Sequence, residues 1–268
     1  MRVFITASLS LRMNPGRSSS APPQRADAGR WTVAEGVHLD ARRAVYLAEG
    51  RFLLVSDLHL GYAWAQRHRG QLLPIGEDDT LTRLNALCAD WSPEVVLVLG
   101  DLVHAVASPE GIREAVIGLV RGLPASVRLE VVLGNHDVRL ESRLMEWGVP
   151  LPCAEERREG PYRFIHGHVP PTEDSGVCWT FSGHEHPALE LGDGGTTSAK
   201  VPAFLVGDGR VVLPAFSHWA GGCVLGRQPL LGEWARAARF EKAVACLGPR
   251  LLPIPWQRLP RGEHAGPS

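Results

Sequence analysis

The sequence has no C-x-x-C pair, almost no lysine, and no apolar run approaching the roughly eighteen residues that span a bilayer. Each gap narrows what the chain does. Its five cysteines, Cys88, Cys153, Cys178, Cys223 and Cys246, are odd in number and widely spaced. That argues against a disulfide framework or a structural zinc site and for reduced thiols in a cytoplasm. With no long apolar run, no membrane partner is expected. The formal net charge of -1 supplies no basic field of the kind that announces non-specific nucleic-acid binding. Lys200 and Lys242 are the only lysines, so positive charge is carried by arginine, which grips phosphate bidentately. No internal repeat recurs at a fixed period.

What is present suits one substantial core: 268 residues, 44% of them hydrophobic. The apolar start "MRVFITASLSLRM" is interrupted by Arg12 and has no small-residue cleavage signal after it. Residues 14 to 30, rich in Pro, Ser, Gly and Arg, lack the apolar surface to offset the entropy of ordering. Residues 1–30 are therefore expected to be a disordered leader, 31–255 a single domain, and 256–268 a flexible tail.

From Trp31 onward, "VHLD", "AVYLAE" and "RFLLVSD" read as short strands separated by turn-length gaps. "GEDDTLTRLNALCADW" reads as a helix with an acidic first turn, Leu81, Leu84, Leu87 and Cys88 recurring at helical spacing. A strand over 95–101, a helix from Pro109 to Arg121 and a strand over 128–137 follow. Continuous apolar strands alternating with helices mark a sheet covered on both faces. Further strands and hairpins are expected over 162–168, 178–186, 203–216 and 241–254, with "GDG" at 207–209 as a tight turn.

Polar residues then fall in one pattern. Asp57 and His59, Asp101, Asn135 with His136 and Asp137, His166 and His168, and His184 and His186 all stand at or just beyond the carboxyl end of an apolar strand. Loops leaving that edge of an α/β sheet converge on one crevice. The two-residue spacing of Asp57 and His59 on an extended strand points both side chains to the same side. A lone histidine after a strand is ordinarily a satisfied structural residue, but here five consecutive junctions carry Asp, Asn or His, several after a glycine that permits close approach. Carboxylate and amide oxygens mixed with imidazoles, and no thiolate, suit Mn²⁺, with Fe or Zn²⁺ as alternatives. An oxygen-only set would have suggested Mg²⁺ or Ca²⁺.

The order "D-x-H … G-D … G-N-H-D … H-G-H … G-H-x-H" resembles the calcineurin-like metallophosphoesterase superfamily over roughly Val37 to Phe216. The resemblance implies an α/β/β/α sandwich, two mixed β-sheets flanked by helices, and a pair of divalent metal ions. It implies that Asp57, His59, Asp101 and His186 surround one ion and Asp101, Asn135, His166 and His184 the other. Asp101 would bridge the two, and His136 would be the catalytic imidazole. "ADWSPEVVLVLGDLVH", "SGHEHPALEL" and "VLPAFSHWAGG" resemble, within that superfamily, the SbcD-related and DNA-ligase-associated phosphoesterases, which implies DNA or a nucleotide as substrate and DNA-repair partners.

Two metals about 3.5–4 Å apart hold a bridging hydroxide and clamp the oxygens of a phosphoryl group. An imidazole beside them stabilises charge or protonates the leaving oxygen, the role expected of His136. Asp137 is expected to act with His136 as a catalytic residue by orienting its ring, the alternative being that it fixes the turn. His166 is assigned to metal and His168 to a place behind the ligands, with the reverse assignment open. His104 reads as a loop histidine; His38, His68, His218 and His264 read as structural or exposed, with His218 near the rim of the site. Arg67 and Arg69, beside Tyr62, Trp64 and His68, are candidates for substrate phosphates and bases, and a solvated polar face accounts for them equally well. The expected function is hydrolysis of phosphodiesters; the alternatives are a phosphomonoesterase on a small metabolite or phosphoprotein, and a non-catalytic metal-stabilised binding module.

Overall fold

Phe52–Val55 and Val95–Leu99 are buried at every position, and their side chains alternate between two cores. Phe52, Leu54, Val95, Leu97 and Leu99 face one way and Leu53, Val55, Val96 and Val98 the other, the period of two that a strand imposes. Strands buried on both faces need a layer on each side. The computed structural model, which describes residues 3–4, 29–62, 70, 79–104, 109–171, 176–192 and 198–259, contains both layers.

The first sheet has seven strands in sequence order: β2 (Arg30–Ala34), β3 (Val37–Asp40), β4 (Ala44–Leu47), β5 (Phe52–Val55), β6 (Val95–Leu99), β7 (Arg128–Val132) and β8 (Cys153–Ala154). It is antiparallel from β2 to β5 and parallel from β5 to β8. The helices α1 (Thr80–Trp91), α2 (Pro109–Gly122) and α3 (Leu140–Trp147) cover its outer face, with Leu84, Leu87, Ile112, Val116, Leu140 and Leu144 packed on Leu53, Val55, Val96 and Val98.

The second sheet has ten strands. Its main path runs β1 (Val3–Phe4), β12 (Pro187–Gly192), β13 (Ser198–Gly207), β14 (Arg210–Val212), β11 (Trp179–Ser182), β10 (Tyr162–Ile165) and β9 (Glu156–Glu159). β15 (Cys223–Val224) pairs with β12, and β16 (Lys242–Leu247) joins β13 to β17 (Arg250–Pro255). Phe164, Phe181, Phe204 and Val244 meet Phe52, Leu54 and Leu97 between the sheets. Phe52, Phe164, Phe181 and Phe204 are essentially fully buried, each worth about 1.5–3 kcal/mol of transfer free energy. The sandwich of two mixed sheets is thus the expected one. Among the described residues its second outer face carries the short α4 (Glu233–Arg236), with Trp234, Phe240 and Leu259 completing the cover by irregular chain.

Several expectations are altered in detail. The helix expected over 76–91 begins at Thr80, so no acidic residue lies in its first turn; the Asp79 carboxylate faces Arg83 and His218 instead. The strands end earlier than the apolar pattern suggests, at Val55, Leu99, Val132, Ile165 and Ser182, leaving the polar motifs in the loops beyond. Of the expected leader, only the backbone of Val3–Phe4, paired parallel with Leu191–Gly192, and residues 29–30 are described. All five cysteines are free thiols. No helix among the described residues is long and apolar enough to cross a membrane.

Candidate metal centre

The chain leaves β5, β6 and β11 through left-handed backbone at residues that are not glycine. Asp57 has φ 55°, His59 49°, Asp101 51°, His184 70° and His186 43°. Asp57 and His59 therefore do not share a side by strand alternation. Both lie past the strand in left-handed conformation, and both reach the same donor set. Such residues cost about 1–3 kcal/mol each and persist where surrounding contacts over-determine them. Here those contacts are main-chain: Asp57 N–H donates to Gly100 O at 3.0 Å, His59 N–H to Asp101 O at 2.9 Å, and Gly183 N–H to His166 O at 3.0 Å.

Around this scaffold Asp57, His59, Asp101 and His186 offer ligand atoms that all lie within 4.8 Å of one another. His186 Nε2 is 2.9 Å from Asp57 Oδ1, and His59 Nε2 is 3.9 Å from Asp101 Oδ2. On the other side of Asp101, His166 Nε2 lies 3.5 Å from Asp101 Oδ2 and 3.1 Å from Asn135 Oδ1. The His184 ring stands 4.9 Å from that of His166, centroid to centroid. His166 Nδ1 is 3.0 Å from the Leu99 carbonyl; a proton there fixes the tautomer and leaves the Nε2 lone pair, beside Asp101, for a metal ion. His168 stands farther out, its ring 5.2 Å from His166 and 6.2 Å from His184.

Two glycines make room for the carboxylates. A Cβ on Gly134 would collide with the Asp101 carboxylate and main-chain nitrogen, and one on Gly183 would stand 2.6 Å from Asp57 Oδ2. Larger residues at either place would displace a ligand.

The electrostatics suit a cation. Burial alone would raise the Asp57 carboxyl, but the imidazoles of His186, His166 and His59 outweigh it and hold the group below its ordinary range. Burial raises the Asp101 carboxyl, with Asp57 adding to the effect. Burial pushes His59 down to about 3 and His184 down to about 4, which keeps both imidazoles neutral as ligands must be. His59 Nδ1 is buried without a hydrogen-bond partner, while Asp57 Oδ1 and His186 Nε2 meet each other. Stranding such a buried atom costs about 1–3 kcal/mol. Divalent ions bound by mixed oxygen and imidazole donors resolve that cost, so the residues present fit the expected metal.

His136 lies beside this cluster. Its N–H donates to Asp101 Oδ1 at 2.9 Å, and its ring Nε2 is 4.0 Å from Asp101 Oδ2. Asp137 does not reach that ring. Its oxygens accept the N–H groups of Gly134, Leu102 and Val103, so of its two expected roles the structure gives it the turn-fixing one. Burial raises its carboxyl to about 6. Arg67 and Arg69 lie outside the described residues, as do Trp64 and His68.

Sequence reasoning undervalued His104. Its N–H donates to Leu60 O at 2.9 Å, which draws the loop after β6 alongside the loop after β5. The His104 ring then stacks on His136 at 5.8 Å and meets Tyr62 edge-on at 4.9 Å. The one signal for it was its place three residues after Asp101. Glu185, between two histidines of the G-H-x-H motif, was also passed over. It turns away from the centre, and its carboxylate accepts the N–H groups of Leu231 and Gly232, anchoring the chain before α4. Tyr62 and Trp219 stack at 6.3 Å beyond His104.

Residues 50–156, which hold Asp57, His59, Asp101, Asn135 and His136, match the family model for calcineurin-like phosphoesterases. No curated protein sequence matches significantly. Among solved structures, the Pseudomonas putida nuclease MPE is similar, with a TM-score of 0.56 and 22% identity over 81% of this chain and 94% of that one. The Escherichia coli phosphoesterase YfcE aligns over 72% of this chain and 86% of its own at 16% identity, but its TM-score of 0.34 carries no argument. The first likeness bears on the fold, and the family match bears on the loops that build the centre. Over residues 50–156 the chain is thus similar to the calcineurin-like phosphoesterases, and the loop set around Asp57, His59, Asp101 and His186 accords with a hydrolase acting on phosphate esters.

Proposed function

We propose that the chain is a two-metal phosphodiesterase acting on nucleic acid or nucleotides, with Mn²⁺ as the metal. The observation that carries this reading is the position of Asp101. Its carboxylate completes a donor set with Asp57, His59 and His186, and its Oδ2 also lies 3.5 Å from His166 Nε2, itself 3.1 Å from Asn135 Oδ1, which supports a second ion held by Asp101, Asn135, His166 and His184. When bound, the ion pair supplies a nucleophile at neutral pH and neutralises charge on the phosphoryl oxygens.

The remaining work belongs to the chain. His136 fixes Asp101 through its main-chain N–H, and its ring Nε2 is the proton donor for the leaving oxygen. His104 stacks on that imidazole and limits its rotation. Asp137 ties the G-N-H-D turn to the loop after β6, which keeps His136 and Asp101 in register. His168 supports His166 from behind. Tyr62 and Trp219 offer aromatic surface at the mouth for a base. A shared fold with a nuclease makes DNA the first polymer to try. The free thiols and the motif likeness to ligase-associated phosphoesterases accord with a cytoplasmic protein working beside DNA-repair partners.

The test uses metal-stripped protein refilled with Mn²⁺. It should hydrolyse bis(p-nitrophenyl) phosphate, then single- or double-stranded DNA, faster than a monoester, and Asp101→Ala should abolish both activities. Hydrolysis of monoesters alone would replace the reading with that of a metabolite or protein phosphatase. Two bound metals and no hydrolysis would point to a binding module.

A further inference from the structure

A groove borders His186, one residue of the metal-centre cluster. It runs between the loop at 215–222 and the start of β13, and Arg43, Lys200, Ser217 and His218 face it. Among the described residues two cations and two imidazoles line it, and no carboxylate does. The nearby acids have partners of their own: Glu190, the cross-strand neighbour of Lys200, meets Arg227 and Ser198, and Asp79 meets Arg83 and His218.

Both walls are tied to metal ligands. On one side Cys223 N–H donates to His186 O at 2.9 Å, and Lys200 Nζ donates to the carbonyls of Gly221 and Gly222 just before it. An ammonium has three donors, so one remains for a ligand. On the other side Ser217 N–H donates to Asp57 O at 3.2 Å, and Arg43 caps the carbonyls of Ala215 and Ser217 at 3.2 and 3.0 Å. The Arg43 guanidinium is thus held in place by the Ala215 and Ser217 carbonyls and by His218, with Asp79 as the acid whose charge reaches it.

We infer that this groove is a subsite for the neighbouring phosphate of a nucleotide strand whose scissile phosphate sits at the metal centre. The inference rests on the phosphodiesterase reading and adds to it that the preferred substrate carries at least two phosphodiester groups. Lys200 makes the direct contact, and Arg43 supplies fixed positive charge behind it.

The test compares kcat/KM of the Mn²⁺-loaded protein on a dinucleoside monophosphate and on a trinucleoside diphosphate. The trinucleotide has two scissile bonds, so counting alone gives a ratio of about two, and an occupied subsite multiplies that by about fivefold or more at low salt. Lys200→Ala should bring the ratio back toward the counting value, Lys200→Arg should keep it, and added salt should lower it. A wild-type ratio no greater than the counting value, or an elevated ratio untouched by Lys200→Ala, overturns the subsite and leaves the phosphodiesterase reading standing. Failure to cleave either nucleotide or bis(p-nitrophenyl) phosphate overturns the phosphodiesterase reading, and the subsite with it.

Discussion

The main-chain N–H of His136 donates to Asp101 Oδ1 at 2.9 Å, while the other oxygen of the same carboxylate, Oδ2, faces His59, His136 and His166 within 3.5–4.0 Å. One side of the carboxylate is thus fixed by the G-N-H-D turn and the other is left for the centre. The turn that delivers the imidazole also holds the Asp101 carboxylate.

That coupling separates the two jobs of residue 136. His136→Ala keeps the main-chain N–H and removes only the ring, so both metals should stay bound while turnover on a phosphodiester falls about 10²–10⁴-fold. Metal content by elemental analysis, set beside kcat, is the check. A variant at full turnover would end the role assigned to the ring.

Gly134→Ala tests the same geometry from the other face. The added methyl would meet the Asp101 carboxylate and nitrogen, so the loop must shift. Displacement on the order of 1 Å at a reacting centre costs about 10²-fold in rate. The expected result is a large loss of kcat with an unchanged circular dichroism spectrum; retention of wild-type kcat would mean that Asp101 is free to move.

Away from the centre, Asp40 links strand, turn and helix. It is 2% exposed, accepts the Arg42 N–H at 3.0 Å, Nε at 2.8 Å and NH2 at 2.7 Å, and accepts Trp91 Nε1 at 2.9 Å. Burial raises its carboxyl, but the Arg42 and Trp91 bonds outweigh that and hold it below its ordinary range. A depressed folded value stabilises above the unfolded carboxyl range, near about pH 4, and that stability is lost as pH falls through the folded value. Asp40→Asn should cost about 1–3 kcal/mol at neutral pH in urea unfolding, with the gap from wild type closing in acid. A gap that is constant with pH would contradict the ionised pairing.

The metal motifs were legible because each is a short polar interruption at the end of an apolar run, and that survives in one dimension. Their backbone was not. An extended and a left-handed Asp57 carry the same residue letters, and only the pairing of Asp57 N–H with Gly100 O decides between them. The helix Leu140–Trp147 escaped notice because it is eight residues long and buries only Leu140 and Leu144. The strand Glu156–Glu159 escaped because "ERRE" is an edge strand with no apolar alternation, the charged composition that edges favour. His104 and Arg43 depend on contacts between loops far apart in the chain, which spacing does not encode.

The central claim is that Asp101 is common to two metal sites, and metal stoichiometry tests it most directly. Equilibrium dialysis of the stripped protein against Mn²⁺ should give two ions per chain for wild type, one for His186→Ala, and none retained by Asp101→Ala. A wild-type plateau at one ion, or an Asp101→Ala protein that still binds two, would contradict the account.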